Sequence, residues 1–237
     1  MTSTEQNVER ELKKIANKID KARNPNIFTL LLFYLTSGII NSCIGAAVLR
    51  FSAKWNLGKV LKFLICYNID PNAKDRKGNT ALHLAVKYDH ADIFETLMSN
   101  GANVNLCNNH GDTVAHIITR RSDHVTLRSI LQKGAMLNIR NKEGDAPLHI
   151  AVSNNCEWTT TVLLQNGADI NLATKYGCTP LHIAIANRNK EMMELLLQSG
   201  ADTEIGYNSE NKEYTVLEMV LVERQKDIME LLNINRR

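Results

Sequence analysis

Short apolar runs alternate with polar, glycine-bearing stretches along most of this chain. Leu82, Leu148 and Leu181 sit in runs that also hold the small residues Ala85, Ala151 and Ala184. A bulkier run follows, as in Met193, Leu195, Leu196 and Leu197. This alternation predicts helix pairs: a first helix whose small side chains let neighbours approach, then a second carrying larger apolar residues. Thr80 and Thr179 stand where a hydroxyl can accept the free N–H groups of a first turn. Pro147 and Pro180 suit the first helical position, which needs no donor. A glycine after runs such as LLLQSG predicts a left-handed helix stop.

The pairs recur at a fixed interval. Gly78 opens GNTALHLA, Gly111 GDTVAHII, Gly144 GDAPLHIA and Gly177 GCTPLHIA, each 33 residues after the last. A second register keeps the same step: SNGANVN from Ser99, QKGAMLN from Gln132, QNGADIN from Gln165, then QSGAD from Gln198. Such a period marks stacked units, none of which can bury its apolar face alone. Thr-Pro-Leu-His-x-Ala at this spacing, followed by Leu-Leu-x-x-Gly-Ala-Asp/Asn, resembles the ankyrin repeat over roughly residues 42–234. The resemblance implies an all-α solenoid of helix-turn-helix units joined by short β-hairpins. Full repeats are expected over 75–107, 108–140, 141–173 and 174–206, with a degenerate repeat over 42–74.

The ends depart from the pattern. In the second clear copy Ala115 replaces Leu and Ile118 replaces Ala, a paired swap that can conserve volume. Residues 207–237 read as a polar closing repeat, TVLEMV from Thr215, with Glu218 in the histidine position and three extra residues in the preceding hairpin, Glu204 to Tyr214. Its helix is expected from about Lys226 to Leu232. At the other end, Gly45 lies 33 residues before Gly78, and Arg50 takes the histidine position. Residues 1–41 read as an amphipathic helix, with Val8, Leu12, Ile15 and Ile19 on one face, plus an apolar capping segment. The uncharged run 27–49 is long enough to span a bilayer; breaks at Thr36-Ser37-Gly38 and Asn41-Ser42 divide it, favouring a buried cap over a membrane anchor.

Charge and cysteine content narrow the chemistry. With 28 Lys and Arg against 25 Asp and Glu, the net charge of +3 is far from that of a dedicated nucleic-acid binder. Aromatics at 5% and the lack of a base-reading motif argue the same way. Five cysteines without C-x-x-C spacing suit reduced thiols and an intracellular, cytoplasmic setting. His83, His116, His149 and His182 occupy one position in four successive units. Spread at about 10 Å per helix layer, they cannot converge on one ion. The resemblance implies that they tie neighbouring hairpins and helices together. His90, His110 and His124 have no partners at zinc spacing and are expected on the surface. No nucleophile elbow, P-loop or metalloprotease motif occurs, so neither an enzyme nor a cofactor is expected.

The resemblance implies a binding surface on the concave side, made of hairpin tips and exposed positions of the first helices. Carried over, it selects Arg76, Lys77, Lys87 and Tyr88; Asn109, His110, Arg120 and Arg121; Lys142; and Lys175, Tyr176 and Arg188. Tyr and Arg are common interface anchors, and the cations suit an acidic protein partner. The expected function is a monomeric, non-catalytic scaffold or inhibitor. Further alternatives are an adaptor tethered through residues 27–49, and a protein like the ankyrin-type Rel inhibitors or the ankyrin effectors of viruses and intracellular bacteria.

Overall fold

The computed structural model of the chain describes residues 42–209, 212–216 and 218. The amphipathic helix expected near the N-terminus and the closing helix near Lys226 lie outside the described residues. Ten helices are described: α1 Ser42–Lys54, α2 Gly58–Cys66, α3 Ala81–Lys87, α4 Ala91–Ser99, α5 Val114–Arg121, α6 His124–Gln132, α7 Pro147–Ser153, α8 Glu157–Gln165, α9 Pro180–Ala186 and α10 Lys190–Gln198. None is long and apolar enough to cross a membrane. Within the run 27–49, Ser42–Leu49 form the start of α1, where Ala46, Val48 and Leu49 are buried; the rest of that run lies outside the described residues.

The first helices α1, α3, α5, α7 and α9 pack side by side in chain order. The second helices stand behind them, approaching most closely at α2–α4 and α8–α10. Small residues explain the tight first row, since Ala53, Ala85, Ala151 and Ala184 are wholly buried within it. Leu82, Leu148 and Leu181 fill the space toward the second row, with Leu97, Leu127, Leu163 and Leu196 from the helices behind. Ala115 and Ile118 are both buried, so the swap in the second clear copy is absorbed by the same core.

The connections 69–80, 102–113, 135–146 and 168–179 are turns, not the strand-built hairpins expected. The reason lies in where their backbone groups go. Asp75 N–H bonds Asn79 O at 2.9 Å and Gly78 N–H bonds Asp75 O at 2.9 Å, which closes the tip. The next groups turn sideways: Asn109 N–H donates to Lys77 O at 2.8 Å, and Lys142 N–H to His110 O at 2.9 Å. Tips therefore join their neighbours instead of forming ladders within themselves. Among the described residues only the longer last connection pairs strands, with β1 Tyr207–Ser209 antiparallel to β2 Lys212–Tyr214 and Tyr207 opposite Tyr214.

An asparagine series reinforces the stack. The Asn72 amide donates to Gly101 O at 3.1 Å and accepts from Asn103 N–H at 2.7 Å. Asn105 repeats both bonds on Gly134 and Met136, at 3.1 and 2.8 Å, and Asn138 on Gly167 and Asp169, at 3.4 and 2.9 Å. Asn171 accepts from Asp202 N–H at 2.9 Å. The amides of Asn72, Asn105 and Asn138 use both of their hydrogen-bonding ends on the next unit's backbone, which fixes the spacing between units.

Two defects mark the middle of the core. Thr119 Oγ1 and Thr160 Oγ1 are buried without a protein partner among the described residues. Elsewhere these repeat positions hold Ala53, Val86, Val152 and Ile185, or Leu61, Phe94, Leu127 and Met193. An unmatched hydroxyl in such a place costs ~1–3 kcal/mol. The Thr160→Val variant is expected to gain ~1 kcal/mol in urea unfolding, and an unchanged or lower midpoint would contradict this. Gly144→Ala is expected to lose ~2 kcal/mol or more in the same assay. Its φ is +96°, and a Cβ there would lie 2.6 Å from the backbone nitrogen of Lys175.

Candidate functional site

The four equivalent histidines are internal pins. Thr80 N–H donates to His83 Nδ1 at 3.3 Å, Thr113 N–H to His116 Nδ1 at 3.1 Å, Ala146 N–H to His149 Nδ1 at 3.0 Å, and Thr179 N–H to His182 Nδ1 at 3.1 Å. An amide can only donate, so each Nδ1 must carry a lone pair and the proton must sit on Nε2. Nε2–H then donates into the following connection: to Asp112 O at 3.1 Å from His83, Asp145 O at 3.1 Å from His116, and Leu172 O at 2.8 Å from His149. Burial lowers the pKa of all four rings, that of His182 to about 4. Geometry and desolvation agree on a neutral imidazole.

The irregular units keep parts of this device. Arg50 Nη1 donates to Ala73 O at 3.2 Å, 23 residues on, the same separation at which His149 reaches Leu172 O and shorter than the 29 of His83 and His116. Glu218 Oε2 accepts Thr215 N–H at 3.0 Å, and Thr215 Oγ1 accepts Glu218 N–H at 3.3 Å, a reciprocal helix cap. Among the described residues no group of three His, Cys, Asp or Glu could hold a metal ion. Cys66, Cys107, Cys156 and Cys178 are free thiols.

All twelve residues selected from the sequence are exposed, but they differ in what they touch. Arg76, Lys77, Asn109, His110, Lys142, Lys175 and Tyr176 stand on the tips. The Asn109 amide donates to Arg76 O at 2.7 Å, and Lys175 Nζ lies 4.9 Å from the Tyr176 ring, which is 63% exposed. Lys87 and Tyr88 close α3 on its solvent side.

Arg120 and Arg121 are already engaged. Arg120 forms a bidentate pair with Asp112, Nη1 to Oδ2 at 2.7 Å and Nη2 to Oδ1 at 2.9 Å, and the Asn141 amide adds a bond to Asp112 Oδ1 at 3.1 Å. Burial of Asp112 opposes its ionisation, yet Arg120 and Asn141 together hold its carboxyl below the ordinary value. Arg121 Nη1 donates to the carbonyls of Val86 and Lys87 at 2.8 and 2.9 Å, and Nη2 pairs with Asp89 at 3.1 Å. It thus caps the C-terminal end of α3, where a cation is favoured. Arg188 falls beyond α9, in the left-handed turn before α10, with φ +54°. The cations do not form one continuous helical row.

Two residues of the same face, half-buried Lys54 and exposed Trp55, escaped the sequence reading. Lys54 and Trp55 lie 33 residues before Lys87 and Tyr88 and close α1 as those close α3. Their register relative to Gly45 was the available signal. His90, expected on the surface, is half-buried and bonds Lys54 O through Nε2 at 3.0 Å.

Comparison with family models finds matches to ankyrin repeats (many copies) at residues 65–118 and to ankyrin repeats (3 copies) at 93–174 and 162–236. No curated protein matches the chain.

The pins set a pH dependence. Their folded pKa values lie below the ordinary histidine value of 6.5, so the unfolded chain binds protons more readily. Their contribution is fully present above pH 6.5 and is lost as pH falls below it, for His182 through a window reaching about 4. Each ring can remove up to ~1.4 kcal/mol per pH unit there. Melting curves between pH 7.5 and 4.5 should show the loss, with a shallower slope for His182→Gln; equal slopes would refute the assignment.

Proposed function

The chain belongs to the ankyrin-repeat family, whose repeats are protein–protein interaction modules, and from that premise we propose that it is a non-catalytic scaffold or inhibitor gripping one protein partner across the tips and the solvent side of the first helices. The pair α1–α2, which the family models reach only at its last residues, counts in this reading as the first repeat.

One observation carries the reading. Residues that recur every 33 positions are spent inside the array: the histidines and asparagines bond the next unit, and the tip glycines admit its backbone. Residues that differ from unit to unit point outward, including Lys87 and Tyr88, and Lys77, His110, Glu143 and Tyr176 at one shared position. A rigid framework carrying varied, exposed side chains suits selective recognition, because little ordering remains to be done on binding. The exposed cations Arg76, Lys77, Lys87, Lys142 and Lys175 favour a partner of acidic character and a salt-sensitive association rate. Arg120 and Arg121 support the surface from beneath by holding Asp112 and the end of α3.

Charge reversal must therefore avoid the two structural arginines. A Lys87→Glu/Lys142→Glu/Lys175→Glu variant is expected to melt with the wild type but to lose the proteins that wild type captures at low salt. Retention of the same proteins at equal affinity would sink the assignment of this face. By contrast, Arg120→Glu is expected to lower the melting temperature, since it leaves Asp112 buried beside a second carboxylate.

A further inference from the structure

The positions that close the first helices run Trp55, Tyr88, Arg121, Asn154 and Asn187, one per repeat. They grade from aromatic through cationic to neutral polar. At the aromatic end, Trp55 is 54% and Tyr88 41% exposed, a large apolar area to leave in water on two adjacent units. Lys54 Nζ lies between them, 5.2 Å from the Trp55 ring centre and 5.6 Å from that of Tyr88. The shelf is braced from below. Phe51 leans on Trp55 with ring centres 6.1 Å apart, His90 stacks on Tyr88 at 6.5 Å, and the same His90 bonds the carbonyl of Lys54.

Charge identifies what the shelf lacks. Lys54 lies on it, Lys87 and Arg121 stand at the adjoining ends of α3 and α5, and the carboxylate following Tyr88, Asp89, is held by Arg121 at 3.1 Å. Among the described residues neither Lys54 nor Lys87 is paired with a carboxylate, which leaves room for carboxylates from outside, while the two rings offer a site for one apolar side chain. Aromatic side chains held rigid beside cations are the composition of an interface hot spot.

We propose that Trp55, Tyr88 and Lys54 form the specificity-determining subsite of this protein, taking a large apolar side chain flanked by carboxylates on an extended acidic segment of the partner. This rests on the protein-binding reading above and adds an anchor and a direction to it. The apolar anchor sits over α1 and α3, and the polar remainder of the segment runs along Arg121 toward Asn154 and Asn187.

The test uses the full chain and a random 12-residue peptide display library, followed by synthetic labelled copies of the selected sequences. Selected peptides are expected to carry Leu, Ile, Phe or Trp within two residues of Asp or Glu. Trp55→Ala and Tyr88→Ala should each weaken binding at least ~tenfold without lowering the melting temperature, and Trp55→Phe should largely restore it. Lys54→Gln should weaken binding and flatten its salt dependence. Selected peptides without the acidic–apolar pairing, or binding unchanged by both alanine variants, overturn the subsite. If such peptides are still lost with the Lys87/Lys142/Lys175 reversal, the wider binding face survives and the shelf alone falls. If no variant matters, or nothing is selected, both fall. Sedimentation of wild type and Trp55→Ala adds a last outcome: a dimer that the substitution dissolves makes the shelf a self-association surface, and the proposal fails.

Discussion

A buried imidazole held between two backbone groups is the constraint on which this array rests. On one side a helix-start amide occupies Nδ1; on the other Nε2–H reaches a carbonyl in the next connection. One side chain thereby satisfies a helix terminus and locks the adjoining unit at a set distance. Accepting at Nδ1 requires the neutral ring, so protonation breaks the bond at the helix start even though Nε2–H can still donate to the carbonyl. The tips, the asparagine amides and the tight first-helix row all presuppose the spacing that these rings set.

Much of this was legible because period and chemistry coincide. Gly78, Gly111 and Gly144 at a constant step announce left-handed turns, and Leu82, Leu148 and Leu181 announce the core. The tips close on themselves without extended strand pairing because turn-forming residues specify a reversal but not where the next donor goes; Asn109 and Lys142 send theirs sideways. Arg120 and Arg121 looked like free cations because their acceptors are unremarkable in sequence. Asp112 is eight residues away, and the carbonyls of Val86 and Lys87 leave no mark at all. Lys54 and Trp55 were hidden by the irregularity of their own repeat, where Arg50 obscures the histidine signature although it keeps one of its bonds.

The substitutions at the two ends show which half of the pin each unit needs. Arg50 retains the reach to the following connection, which the first described unit requires because another stacks upon it. Glu218 retains the local cap at Thr215. Each replacement is chemically apt: a guanidinium can only donate and a carboxylate can only accept. The core tolerates less faultless fitting, as the unmatched hydroxyls of Thr119 and Thr160 make plain.

The asparagine clasps have a polarity of their own. Asn72, Asn105 and Asn138 each extend a side chain forward and close it on main-chain atoms of the unit that follows. Peptide groups are the same whatever residue bears them, so the receiving unit is accepted without reference to its side chains. Its outward positions are thereby released from any duty in assembly. A lineage can rewrite them one unit at a time, changing what is recognised while the scaffold's joints stay as they were.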